Sequence, residues 1–224
     1  MSARSNAGRI GVWGRSGSGK SSYVKKLIKG RKRLIVFDPL AEYGPELKMR
    51  TIEHVRRNSL DDVRAGMAKS WPGFRLAYVP PAGNEAAALS ALCRLLMAAQ
   101  KPFKDGAKGA AMMTLVVEEM NMSFPVAGGD QKCPGFAEMC SRGRHFGIEV
   151  IGASQRIAEV STRWRGNNSE TIILAQKGKR DIDAATAEIG TDRRTVVALQ
   201  NLEYLHEKGG TITQGKITFP GRRK

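Results

Sequence analysis

The residues from Gly14 to Ser21 read GRSGSGKS and match the spacing G-x-x-x-x-G-K-[ST] at every fixed position. Gly14, Gly17 and Gly19 let the backbone turn so that successive N–H groups point inward at anionic oxygens. Lys20 is spaced to reach the β- and γ-phosphates of a nucleotide, and Ser21 offers a hydroxyl to Mg²⁺. Arg15, Ser16, Ser18 and Ser22 complete the expected cradle, so the whole stretch is a candidate ATP site. An apolar strand precedes the stretch and a helix follows it, and the positive end of that helix adds to the attraction for phosphate.

Hydrolysis needs a second element that holds the cation and activates water. Met112 to Glu119, MMTLVVEE, is a buried-strand pattern ending in two carboxylates. Glu118 is placed to support the Mg²⁺ shell with Ser21, and Glu119 to orient or deprotonate the attacking water. The first of the two positions is more often Asp, so Glu118 is a departure with one extra methylene. The adjacent catalytic-type Glu points to a motor-type ATPase rather than a small kinase or GTPase. The sequence also contains no NKxD guanine motif and no LSGGQ signature.

Strand and helix patterns alternate along the chain, which predicts an α/β fold with a mostly parallel central sheet flanked by helices. Expected strands lie at Arg9–Trp13, Arg33–Phe37, Met49–Ile52, Phe74–Val79, Met112–Val117, Ile148–Ala153 and Thr171–Ala175. A helix from Lys20 to about Lys29 stops at Gly30, Ser59 is a candidate N-cap, and Asn84 caps a helix through about Ala99. Another helix ends near Gly143, and two short ones, Asp181–Ile189 and Thr191–Leu199, are separated by Gly190. Glu203 to Phe219 alternates around Gly209-Gly210 and reads as a small C-terminal β-hairpin, followed by a basic tail. With no internal repeat or long linker, the expectation is one domain over 1–224. Its core covers about 9–200, and the hairpin and tail about 201–224.

The 37 lysines and arginines outnumber the 21 acidic residues, giving a formal charge of +16, which attracts polyanions. Cys93, Cys133 and Cys140, with His54, His145 and His206, show no metal-ligand spacing, so the thiols are expected free in a reducing cytosol. The N-terminus has no signal-peptide core and no apolar run approaches a membrane span, so no stable membrane insertion is expected.

The stretch Ser141 to Arg156, SRGRHFGIEVIGASQR, ends a strand in Ser154-Gln155, an amide placed to sense a γ-phosphate or the attacking water. The GRSGSGKS loop, FDPLAEY at Phe37 to Tyr43, the acidic strand end and GRHFGIEVIGASQR occur in the order seen in the HerA–FtsK superfamily of nucleic-acid pumping ATPases, which the chain resembles over roughly 9–184. The resemblance implies a P-loop NTPase of the RecA-like (ASCE) type. Within the superfamily, small and very basic members resemble the genome-packaging ATPases of membrane-containing, double-jelly-roll dsDNA viruses. That likeness implies a homo-oligomeric, hexameric ring threading dsDNA without sequence preference. It would act in the host cytoplasm and at a viral capsid vertex.

By the same resemblance Gln155 is the sensor, and Arg142 and Arg144 are candidates for an arginine finger reaching a neighbour's γ-phosphate. Ordinary surface charge or DNA contact is an equal alternative for both arginines. Asp38, Glu42 and Tyr43 fall on the nucleotide side in the family layout, or form a simple turn with Pro39. FtsK-like chains carry an arginine where this one has Glu170-Thr171, so that sensor does not carry over.

Three loops combine cations with flexibility and are candidate DNA contacts: Lys101–Lys108, Ser123–Lys132, and Arg156–Arg165 with its Trp164. The terminal Arg222, Arg223 and Lys224 are further candidates. The leading expectation is an ATP-driven dsDNA translocase that packages a viral genome. The competing ones are a Zot-like phage assembly and extrusion ATPase, which calls for a transmembrane span, and a small nucleotide kinase, which calls for a lid and lacks a Glu119-type base.

Overall fold

The computed structural model describes residues 7–53 and 59–219. Among them, strands β1 (Arg9–Trp13), β2 (Arg33–Phe37), β3 (Arg50–Glu53), β4 (Phe74–Val79) and β5 (Met113–Val117) are followed by β6 (Ile148–Ser154) and β7 (Glu170–Leu174). Two more, β8 (Glu203–Lys208) and β9 (Thr211–Lys216), close the chain. All belong to one sheet in the order β3-β4-β2-β5-β6-β1-β7-β8-β9. The first seven strands run parallel, and β8 and β9 are antiparallel additions at the edge beside β7. The C-terminal hairpin thus extends the main sheet instead of standing apart from it.

Alternation along each strand divides the core into two layers. In β2, Ile35 and Phe37 face one layer while Leu34 and Val36 face the other; in β5, Leu115 and Val117 oppose Val116. Burial on both faces is why these strands read as continuous apolar runs. Helices α1 (Lys20–Leu27) and α2 (Tyr43–Glu46) cover one face, contributing Tyr23, Val24 and Tyr43. On the other face lie α3 (Ser59–Lys69) and α4 (Glu85–Ala99). The short α5 (Lys101–Lys104), α6 (Met120–Ser123) and α7 (Gly129–Lys132) lead to α8 (Pro134–Arg142). Helices α9 (Thr162–Arg165), α10 (Lys179–Ile189) and α11 (Arg193–Ala198) follow. Leu89, Leu92 and Leu96 of α4 are fully buried, and shortening any one to Ala would destabilise the fold by about 2–5 kcal/mol.

Several local expectations are corrected. Lys101–Lys108 begins as helix α5, and Ser123–Gly135 contains α7. The stretch after Arg156 forms a 3₁₀ turn (Ile157–Glu159) and then α9. Trp164 is fully buried against Phe136, with ring centroids 5.4 Å apart. Asn84 sits at the N-cap of α4 without a side-chain cap bond; the Glu85 carboxylate accepts from Gly83 N–H instead, at 2.9 Å. Helix α3 is described from Ser59 onward, so where it begins and what caps it lie outside the described residues, as do His54 and the basic tail with Arg222, Arg223 and Lys224.

Candidate nucleotide site

The loop Gly14–Gly19 leaves the carboxyl end of β1 between its two neighbours. Gly14 N–H donates to Ser154 O of β6 at 3.3 Å, and Arg15 N–H to Ala175 O just beyond β7 at 2.9 Å. Gly19, at φ +100, is where the chain turns into α1, a conformation that disfavours a side chain. A Cβ there would also lie 2.8 Å from Leu202 Cδ2 and 2.9 Å from Ile217 Cδ1. At Gly14 a Cβ would come within 2.4 Å of Ser18 Oγ and 2.8 Å of Leu174 Cβ. The glycines therefore serve both the turn and the close packing of the loop on the sheet and hairpin. Ser18 is fully buried behind the loop, and its hydroxyl has no hydrogen-bond partner among the described residues.

Beside the loop is a cavity of about 360 Å³. Arg15, Ser16, Gly17, Gly19, Lys20, Ser21 and Ser22 border it, while Gly14 and Ser18 shape the loop from beneath. On the opposite wall Glu118 follows β5, its N–H donating to Phe37 O at 3.0 Å. Glu119 adopts a left-handed backbone, φ +43, which is rare for a side-chain-bearing residue and of the kind concentrated at functional sites.

Lys20 Nζ stands 3.4 Å from Glu118 Oε2 and 3.4 Å from Glu119 Oε1, with all three side chains at most 10% exposed. Burial alone would lower the Lys20 pKa, but the two carboxylates together outweigh it and hold the ammonium above its ordinary value. Gln155 Nε2 donates to Glu119 Oε1 at 2.9 Å, so the expected sensor meets the expected base directly. The Tyr43 hydroxyl donates to Glu118 Oε1, and Tyr43 N–H donates to Asp38 Oδ2 at 2.8 Å. Burial first, then the Glu118 charge, raises the Tyr43 pKa and keeps its proton on as a donor. Asp38 and Glu42 line the same cavity, so the segment after β2 does belong to the site.

Arg142 and Arg144 are not brought to this cavity. Arg142, exposed at the end of α8, pairs with Glu138 at 3.2 Å. Arg144 lies in the 3₁₀ turn Gly143–Phe146, close enough to Arg9 at the start of β1 to help lower that guanidinium's pKa, after burial. Both precede β6, whose seven residues separate them from Gln155 by roughly 20 Å. Neither can serve the cavity of its own chain.

The loop Arg156–Arg165 also differs from its expected open, cationic form. Arg156 pairs with Asp181 at 2.9 Å and Glu159 at 3.0 Å, Arg163 with Asp130 at 2.6 Å, and Arg165 with Glu188 at 3.3 Å. Cys93, Cys133 and Cys140 are free and buried, and burial pushes the Cys133 and Cys140 thiols up to about 12, leaving them unreactive. Among the described residues no helix is long and apolar enough to cross a membrane, and no group of three His, Cys, Asp or Glu side chains could hold a metal.

Sequence reasoning missed the C-terminal side of the site. Leu202 borders the cavity at φ +71, with its N–H donating to Ser18 O at 2.9 Å, and Arg15 Nη2 donates to Asn201 Oδ1 at 2.7 Å. Nothing in the local sequence around Asn201-Leu202 signals a meeting with residues more than 180 positions earlier.

The fold and cradle define a P-loop NTPase architecture of the RecA-like (ASCE) type, with the hairpin at its edge. No protein-family profile and no curated protein sequence matches the chain. Solved structures match in fold. The genome packaging NTPase B204 of Sulfolobus turreted icosahedral virus 2, in complex with ATP-gammaS, superposes with a TM-score of 0.71 at 17% identity, covering 96% of this chain and 100% of that one. VirB4 of Thermoanaerobacter pseudethanolicus gives a TM-score of 0.66 at 14% identity, covering 98% and 92%. EssC (ATPases 2 and 3) of Geobacillus thermodenitrificans gives 0.58 at 11%, covering 93% of this chain and 39% of that one. The fold expected from the motifs, a mostly parallel sheet behind a phosphate-binding loop, is thus the fold these structures share with the chain.

Proposed function

We propose that the protein hydrolyses ATP and uses the energy to move dsDNA, in the manner of a viral genome-packaging motor. The observation that carries this reading is the convergence of Lys20, Glu118, Glu119 and Gln155 on one cavity from the ends of β1, β5 and β6. The full-length likeness to a genome packaging NTPase supports the packaging role, and the +16 charge supports a polyanionic cargo.

In this mechanism the loop N–H groups and Lys20 hold the phosphates in a fixed pose, so that little reorganisation remains at the moment of reaction. Glu119 accepts the proton of the attacking water at its carboxylate. Gln155, already bonded to that carboxylate, orients it and registers whether the γ-phosphate is present. Glu118, held by the Tyr43 hydroxyl, and Ser21 face one cavity with oxygen donors, a set that suits Mg²⁺. The ion, when bound, would neutralise phosphate charge. One ammonium stands against two glutamates, so the protein's own groups leave an excess of negative charge that a cation would offset.

The chain would work as one ATPase domain, hairpin included, in a homo-oligomeric, six-membered ring. In such a ring Arg142 or Arg144 would complete the neighbour's site. Assembly at a capsid vertex in the host cytoplasm follows from the packaging role. The test is ATP turnover with and without dsDNA at several salt concentrations. Stimulation that weakens as salt rises is expected, and a rate indifferent to DNA of any length would remove the motor reading.

A further inference from the structure

A second cavity, of about 500 Å³, opens beside the first and shares Arg15, Ser16 and Gln155 with it as a common wall. Its far side is the loop after β7 and the start of α10, Lys177-Gly178-Lys179-Arg180, together with Arg156 and Asp181. Asp181 is the carboxylate in that lining and is fully engaged: Oδ2 accepts from Arg156 Nε at 2.9 Å and Oδ1 from Ala158 N–H at 3.1 Å. Lys177, Lys179 and Arg180 are exposed and have no carboxylate or hydrogen-bond partner among the described residues. The Arg15 side chain bonds the neutral Asn201.

Two adjoining cavities therefore carry opposite signs. The first is lined by Asp38, Glu42, Glu118 and Glu119 against Lys20 and Arg15; the second has uncommitted cations facing no free acid among the described residues. We propose that the second cavity is a phosphate-binding site. Its occupant is a phosphate group, either inorganic phosphate leaving the nucleotide cavity or a backbone phosphate of nucleic acid. The first source rests on the hydrolysis reading above and the second on the DNA reading. Gln155 lies in the wall common to both cavities and donates to Glu119 Oε1 at 2.9 Å, so the side chain that borders the second cavity also holds the base of the first.

The test uses the full chain carrying Lys177→Ala, Lys179→Ala and Arg180→Ala together, exposed positions whose removal leaves the melting temperature within a few degrees. In one arm inorganic phosphate is titrated calorimetrically into a Lys20→Ala protein, whose P-loop is disabled, with and without the triple substitution. In the other, a short fluorescent dsDNA is bound at a series of salt concentrations. A free-phosphate site predicts that the triple weakens phosphate binding by about tenfold or more and leaves the DNA slope alone. A backbone site predicts that the slope of log K against log salt falls by about 0.9 for each DNA phosphate that the variant no longer neutralises.

Lys26→Ala, Lys29→Ala and Lys32→Ala, on α1 and the turn after it, remove the same charge at positions that line neither cavity. The proposal is overturned if neither arm responds, or if this control triple produces an equal response, since the effect would then be the general field of a basic protein. Neither arm needs turnover. A wild-type chain that fails to hydrolyse ATP would therefore sink the hydrolysis reading while leaving the cavity's phosphate binding measurable.

Discussion

Strands β5 and β6 carry an ion cluster at each end, and the two clusters are built differently. At the amino end Glu149 is buried between Thr114, whose hydroxyl donates to it at 2.8 Å, and Arg31, paired with it at 2.7 Å. One carboxylate meets one guanidinium and one hydroxyl, and the charge balances. At the carboxyl end one ammonium, Lys20, is shared by Glu118 and Glu119 beside a cavity. Charge is left over, and Glu119 is held in a disfavoured backbone state. A buried cluster that balances stabilises a fold; one that is incomplete is suited to a ligand.

The comparison breaks most severely if the two ends meet between subunits. Replacing Arg142 and Arg144 with Ala should lower ATP turnover by about 10³–10⁵ if one of them is a finger in trans. Mixing that protein with a Glu119→Gln protein should restore part of the rate, because some interfaces then hold an intact pair. Failure of the double replacement to slow turnover would return both arginines to surface charge. Glu119→Gln itself should reduce turnover by roughly 10²–10⁴ while nucleotide affinity stays within a few-fold. A variant hydrolysing at the original rate would show that the incomplete cluster is only structural.

Tyr43→Phe removes one charge-assisted donor to Glu118 and should raise the Mg²⁺ concentration for half-maximal rate by about tenfold. At the balanced end, Glu149→Ala strands the Thr114 hydroxyl and should destabilise by about 2 kcal/mol. In a thermal melt this is a drop of about 4–8 °C, with turnover per folded molecule unchanged. The smallest effect concerns pH. The Lys20 pKa is raised in the folded state, so its ion pairs stabilise fully below the ordinary value of 10.5 and are lost only as pH rises through the higher folded value. Melting temperature should therefore show no Lys20-linked change between about pH 7 and 9.

Much of this was legible in the sequence because it is local. The loop's glycines, lysine and serine act within eight consecutive positions, and the strands β1, β2 and β4 are bounded by steric punctuation at Gly, Pro and charged residues. The expectations that changed were those about exposure. Trp164 resembled a residue offered to DNA, yet it closes an aromatic cluster with Phe136 and Phe124. Arg156, Arg163 and Arg165 looked like free cations, and each found an acid on another segment. Among the described residues, the uncommitted cations that border the cavity beside the nucleotide site lie instead at Lys177–Arg180, a stretch with no motif to mark it.

The sequence by itself determined the phosphate cradle, the paired glutamates and the alternation that makes a parallel sheet. Each depends on backbone sterics and spacing among near neighbours. Tertiary structure alone decided which groups meet: Lys20 with glutamates 98 and 99 positions away, Tyr43 with Glu118 across 75, and Arg15 with Asn201 across 186. Those meetings depend on strand order, because β1, β5 and β2 deliver their carboxyl ends to one edge only after the sheet has assembled. The same assembly holds Arg142 and Arg144 a full strand length from their own cavity. Whether a charge is answered is a property of packing, and no spacing along the chain encodes it.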